Sequence, residues 1–223
     1  MAYQFSTIGA KVRNRIRDQN FDYTQTANFI NDAINDIYNE YRLPFMQAVQ
    51  TYTVTVNVGD ITNGSGLPTN YTQAIDLTYT SSDGERVIPY KNVVDMDLLY
   101  PDEDDTTEHV AGTPLYWYFY AQTIKVFPVP ATAYTVSLRY WKKATTLVAD
   151  GDVPDIPSQF EELIVLGASY RILQTKDNYD QAAILQNKYD EILQKLVMQN
   201  AQAQTAQATQ MRINRYANGK ARF

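Results

Sequence analysis

The 223 residues contain no cysteine. Disulfides, a thiolate nucleophile and a cysteine-ligated zinc are therefore closed to this chain. Histidine is almost missing: His109 stands alone, which leaves no imidazole pair for a metal and none spare for a Ser-His-Asp arrangement. No apolar run approaches the roughly 20 residues of a membrane-spanning helix. Met1-Ala2-Tyr3-Gln4-Phe5 lacks the apolar centre of a secretory leader, so a protein made in a cytoplasm and touching no membrane is expected. Positive charge is also short, with a net of −6, and overall charge does not make this a general nucleic-acid binder. Asn63-Gly64-Ser65-Gly66 lacks the Lys-Ser/Thr ending of a phosphate loop and reads as a turn. No Gly-x-Ser-x-Gly nucleophile turn occurs. The expectation is no catalytic centre, no metal and no cofactor.

What is present describes a globular chain, 44% hydrophobic and 20% charged. Its length suits one domain or two small ones. Tyrosine is in excess, 18 against 8 phenylalanines, and tyrosine suits surfaces buried on one side and polar on the other, as subunit interfaces are.

The hydrophobic pattern switches between helical and strand periods along the chain. From Ser6 to Arg17 the spacing predicts a short amphipathic helix with Phe5, Ile8, Val12 and Ile16 on one face. From about Thr26 to Tyr41, Ala27, Ile30, Ile34, Ile37 and Tyr41 step 3-4-3-4, a single helical stripe. Leu43-Pro44 ends it, because the residue before a proline leaves the helical region. Then alternation takes over. Tyr52, Val54, Val56 and Val58 face one way in a predicted strand from Gln50 to Val58. Further strands are predicted around Gln73–Thr80, at Val87–Ile88, over Leu115–Tyr120 and Thr123–Phe127 about an Ala121-Gln122 turn, and over Ala133–Trp141. A short helix is predicted from Lys91 to Tyr100. Short antiparallel strands with tight turns suggest a sandwich or partly closed barrel. After Val153-Pro154-Asp155-Ile156-Pro157 the helical period returns, with a capping-box spacing from Ser158 to Glu161. It runs to about Met198 with a possible bend at Gln174–Asn178.

The fold class is α+β. Residues 1–46 and 154–199, two N-terminal helices plus a long C-terminal helix, form one helical part. Residues 47–153 form an inserted antiparallel β-rich part with an acidic loop, and 200–223 an extended C-terminal tail. The helix at 26–41 is expected to pack on the long C-terminal helix.

Three clusters are candidates for binding. Lys11, Arg13, Arg15 and Arg17 lie off the apolar face of the first helix, as a solvated face or a partner surface. Asp95, Asp97, Asp102, Glu103, Asp104, Asp105 and Glu108 come with no base among them. They have no central glycine for a calcium loop, and read as an exposed acidic loop or as a surface meeting a basic neighbour. From Asn200 onward there are cations and no acids. Met211, Arg212, Ile213, Arg215, Tyr216, Lys220, Arg222 and Phe223 there combine charge with apolar anchors, either as a frayed end or as a segment that folds on a partner. The run Leu115-Tyr116-Trp117-Tyr118-Phe119-Tyr120 has no interleaved base, so core and interface fit it better than nucleobase stacking.

The order of these motifs resembles the head-to-tail adaptor (connector) proteins of tailed bacteriophages, with related tail-tubular proteins. The likeness lies in Phe29-Ile30-Asn31-Asp32-Ala33-Ile34-Asn35-Asp36-Ile37-Tyr38 with its stop at Leu43-Pro44-Phe45, and in Gly112-Thr113-Pro114-Leu115-Tyr116-Trp117. It continues through Lys125-Val126-Phe127-Pro128-Val129-Pro130, Leu138-Arg139-Tyr140-Trp141-Lys142-Lys143, and Val153-Pro154-Asp155-Ile156-Pro157 before the last helix. The resemblance implies a structural virion protein in the neck, forming a homo-oligomeric ring, a dodecamer, assembled in the host bacterial cytoplasm. Its partners would be the portal protein above, reached by the C-terminal tail, and a tail or nozzle/stopper protein below, with viral DNA passing through without specific binding. The acidic residues Asp102 to Asp105 and the cations Lys11 to Arg17 would meet between subunits. An aromatic-rich β module binding carbohydrate or nucleic acid is the alternative, and a hydrolase using the acids around His109 a third reading.

Overall fold

A computed structural model describes residues 3–62, 66–81, 84–99 and 111–217, with 201–217 as backbone. The chain divides into two compact units, Met1–Met46 with Ala144–Phe223, and Gln47–Lys143.

The first unit is helical. Helix α1 (Phe5–Arg15) buries Phe5, Ile8 and Val12. Its first amides are satisfied by backbone, Phe5 N–H donating to Asp152 O at 2.8 Å and Ser6 N–H to Asp150 O at 3.2 Å. Helix α2 (Tyr23–Glu40) starts at Asp22, whose carboxylate accepts from Gln25 N–H at 2.7 Å, a side-chain cap. Its stripe Ile30, Ile34 and Ile37 is buried, and α2 packs on α4 (Glu161–Thr175) as the spacing predicts. Gly167 permits the closeness: a Cβ there would sit 3.0 Å from Ala33 Cβ and 3.1 Å from the Tyr189 ring. Asn31 ties the returning chain to α2 by accepting from Leu147 N–H at 2.9 Å and donating to Leu147 O at 3.0 Å.

The expected capping box at Ser158 does not form. Ser158–Phe160 is a single 3-10 turn, and α4 has no side-chain cap. Glu161, its would-be reciprocal partner, accepts from Lys11 instead. The bend anticipated at Gln174–Asn178 is a full break. Asp177 takes φ 55°, and Asn178 N–H donates to Leu173 O at 2.9 Å, closing α4 with a left-handed cap. Helix α5 (Tyr179–Ala217) then runs 39 residues. The Ala/Gln/Thr stretch after Asn200 thus continues the helix.

The second unit contains β1 (Gln47–Val54), β2 (Tyr71–Ser81), β3 (Gly84–Ile88), α3 (Val93–Leu99), β4 (Tyr116–Tyr120), β5 (Thr123–Phe127) and β6 (Tyr134–Lys142). Four strands form an antiparallel sheet in the order β1-β6-β2-β3, and β4-β5 make a two-stranded ribbon. Tyr52, Val54, Leu77, Ile88, Val136, Leu138 and Tyr140 from the sheet share one core with Trp117, Ile124 and Val126 from the ribbon, so the ribbon covers the sheet's apolar face. Strand β6 forms where a strand is predicted, with Val136, Leu138 and Tyr140 buried on alternate positions. Strand β1 stops earlier than predicted: Val58 N–H turns back to Thr55 O at 3.2 Å and Asn57 takes φ 60°, so the valine alternation outlasts the strand. Helix α3 is capped by Asn92, which accepts from Asp95 N–H at 2.7 Å.

Candidate functional site

The α1 cations are largely engaged within their own unit. Lys11 Nζ donates to Glu161 at 2.5 Å and Arg15 to Glu162 at 2.6 Å. The Arg13 guanidinium lies over the Tyr23 ring, 5.5 Å from its centre. Arg17, at the left-handed turn after α1 (φ 56°), is exposed. Facing elements are joined in the same way: Arg171 on α4 bonds Asp36 on α2, and Lys176 bonds Asp18. That bond holds the Asp18 carboxyl below its ordinary range.

Of the acidic run, Asp95 and Asp97 belong to α3, and Asp95 Oδ2 accepts from Asn92 Nδ2 at 2.9 Å. Asp102, Glu103, Asp104, Asp105 and Glu108, with His109, lie outside the described residues. So do Lys220, Arg222 and Phe223, whereas Met211, Arg212, Ile213, Arg215 and Tyr216 occupy the last turns of α5.

The aromatic run of β4 is used at home. Trp117 and Tyr118 are buried. Tyr116 carries Lys91 over its ring at 5.5 Å and Tyr120 carries Lys125 at 5.2 Å. Phe119 stacks on Tyr71 with planes 7° apart. Beside this stack lies a groove of about 710 Å³ lined by Asp60, Tyr71, Phe119, Gln122 and Lys143. Ala121 and Gln122 close the hairpin above it with φ 48° and 63°, positive at both central positions as a type I′ turn demands. Sequence reading placed that turn correctly but gave no signal for the groove, whose walls come from distant strands and loops.

Buried tyrosines set the unusual protonation. Desolvation pushes the Tyr3, Tyr38, Tyr134 and Tyr189 hydroxyls well above the ordinary phenol range. These groups stay neutral and serve packing. Among the described residues no three His, Asp or Glu side chains come together to hold a metal ion, and no helix is long and apolar enough to cross a membrane. The geometry offers surfaces and a long C-terminal helix. Against known families, the model of the SU10 adaptor protein matches residues 3–215.

The chain belongs to the SU10 adaptor protein family. No curated protein matches it. As a phage adaptor it is a structural protein of the virion, with partners in head–tail assembly. The match spans both units, so the adaptor comprises the helical and the β unit together.

Proposed function

We propose that this adaptor forms the ring between portal and tail in the neck of a tailed phage, a dodecamer that docks to the portal through the C-terminal end of α5. The supporting observation is a change of composition along that helix. Its first part buries Ala182, Tyr189, Leu193 and Leu196, and the helix continues to Ala217 through a sequence of mostly Ala, Gln and Thr that offers little apolar surface before Met211. From Asn200 on the chain carries cations and no acids, which suits an acidic groove. Met211, Ile213, Tyr216 and Phe223 supply the apolar and aromatic anchors that carry binding energy in such contacts. Several copies around a ring raise the effective concentration of each weak contact. A tail or nozzle/stopper protein sits below the ring, DNA passes through its lumen without specific contacts, and assembly takes place in the host bacterial cytoplasm.

In this reading the acidic residues Asp102, Glu103, Asp104 and Asp105 face the α1 cations of the neighbouring copy. Exposed ion pairs contribute only about 0–1 kcal/mol each, so Lys11 and Arg15 exchange Glu161 and Glu162 for a neighbour's carboxylates at little cost, and Arg17 is already exposed. The deciding experiment is co-sedimentation of a chain truncated after Asn200 with tailless, DNA-filled heads. Loss of attachment with an unchanged fold is expected. Binding at the full-length level would move the docking element to the body of the protein.

A further inference from the structure

The four-stranded sheet ends in two unlike edges. Strand β3 has five residues, carries Glu85 and Arg86, and is followed by Pro89. Shortness, charge and a following proline restrict which strands such an edge accepts. Strand β1 has eight residues and carries no such guard. Gln47-Ala48-Val49-Gln50-Thr51-Tyr52-Thr53-Val54 contains no charge, no proline and no glycine. It lies within 43–59, the longest uncharged stretch of the chain. Its register with β6 is unbroken from Gln47↔Trp141 to Val54↔Tyr134, so no bulge turns the edge away. Every second residue points its N–H and C=O away from β6, and among the described residues no backbone group other than those of β6 pairs with β1. Val49 is 62% exposed, and Gln47, Thr51 and Thr53 are exposed beside it.

We propose that β1 is a strand-addition edge whose occupant is a second copy of this chain, with β1 of one subunit pairing with β3 of the next. Charge selects that occupant. Copies of a chain with net charge −6 repel one another, and the neutral edge is where two can approach with no like charges opposed. Glu85 and Arg86 of β3 disfavour pairing with a charged strand, and β1 opposes neither of them. The two edges also stand at opposite ends of one sheet, and a contact between unlike patches is the head-to-tail kind that closes a ring. The inference rests on the ring reading and specifies its subunit contact: a backbone hydrogen-bond ladder that carries the sheet from copy to copy.

The cysteine-free sequence allows disulfide trapping without background. Val49, Thr51 and Thr53 are each replaced by Cys in combination with Glu85→Cys or Val87→Cys, because facing strand residues lie about 4.5–5.5 Å apart, within disulfide reach. In the full-length protein assembled on heads, one pairing should give a ladder of oxidised multimers, and each single variant none. Separately, Thr51→Lys with Thr53→Lys installs the missing guard. It should leave the melting temperature of the subunit in place and reduce the assembled species to monomer. A ring that persists in the lysine variant and traps no pair overturns the strand addition alone. Dimers from β1 single variants overturn it in favour of β1 against β1. A wild-type chain that multimerises neither on heads nor in solution overturns the ring reading and this inference together.

Discussion

From Tyr179 to Leu196, helix α5 buries Ala182, Tyr189, Leu193 and Leu196 and packs on α4. From Ala201 to Ala217 the same helix is Ala, Gln and Thr, then Met211-Arg212-Ile213-Asn214-Arg215-Tyr216. The first half is held by tertiary burial. The second follows from it without a new nucleus, on the high helix propensity of Ala and Gln. The difference shows that a helix can be extended past its core cheaply, since propagation adds one hydrogen bond per residue fixed. In the portal-docking proposal, this far half is the part that a partner contacts.

The sharpest way to break this comparison is the truncation after Asn200. It should abolish attachment to portal-bearing heads and leave the thermal melt where it was; a melt that collapses would mean the far half is structural after all. Next in size are changes to the packed half and its support. Leu193→Ala, Leu196→Ala and each of Ile30→Ala, Ile34→Ala and Ile37→Ala should cost about 2–5 kcal/mol in denaturant unfolding. Ala203→Gly and Ala206→Gly, in the far half, should cost about 1 kcal/mol or less. Equal losses in both halves would erase the distinction. Gly167→Ala should destabilise by about 1–3 kcal/mol, because Ala33 and Tyr189 leave no room for its methyl group. A neutral result would show that α2 and α5 can yield.

The smaller effects concern tyrosine. Tyr38 and Tyr189 have hydroxyls raised by burial, so the folded state keeps them neutral where the unfolded chain ionises. Their contribution is complete below about pH 10 and is lost as pH rises past it. A melting temperature that falls there, in step with tyrosinate absorbance, is expected, and Tyr189→Phe should blunt the fall. In the β unit, the buried Tyr134 hydroxyl has no hydrogen-bond partner. Tyr134→Phe should leave stability unchanged or slightly raised, since no bond is lost and a desolvated polar group is removed.

What could be read from the residues beforehand follows the range of the forces involved. The α2 stripe, the β6 alternation and the Ala121-Gln122 turn are local patterns and were readable. The pairing of β1 with β6 joins segments more than half of the β unit apart in sequence, and no local signal encodes it. The capping box at Ser158 failed because Glu161 had a better partner in Lys11, a tertiary contact. The neutral run around β1 was visible as composition, but its meaning depended on the strand standing at an edge. For the candidate site, the cationic clusters were plain in the sequence, whereas the intramolecular partners of Lys11 and Arg15 required the fold.

The left-handed cap at Asp177 has a mechanical consequence. It sets the direction in which α5 leaves α4, and the packing of Tyr189, Leu193 and Leu196 clamps that direction. Past Asn200 the remaining helix to Ala217 is about 26 Å long. A tilt of one degree at the clamp moves its end by only about half an ångström at that length. A flexible tether of the same residues would search a volume and lose that freedom on capture. In the proposed docking, a stiff helix would bring residues 211–217 to a nearly fixed point, and three residues at a turn would set the tolerance of that joint.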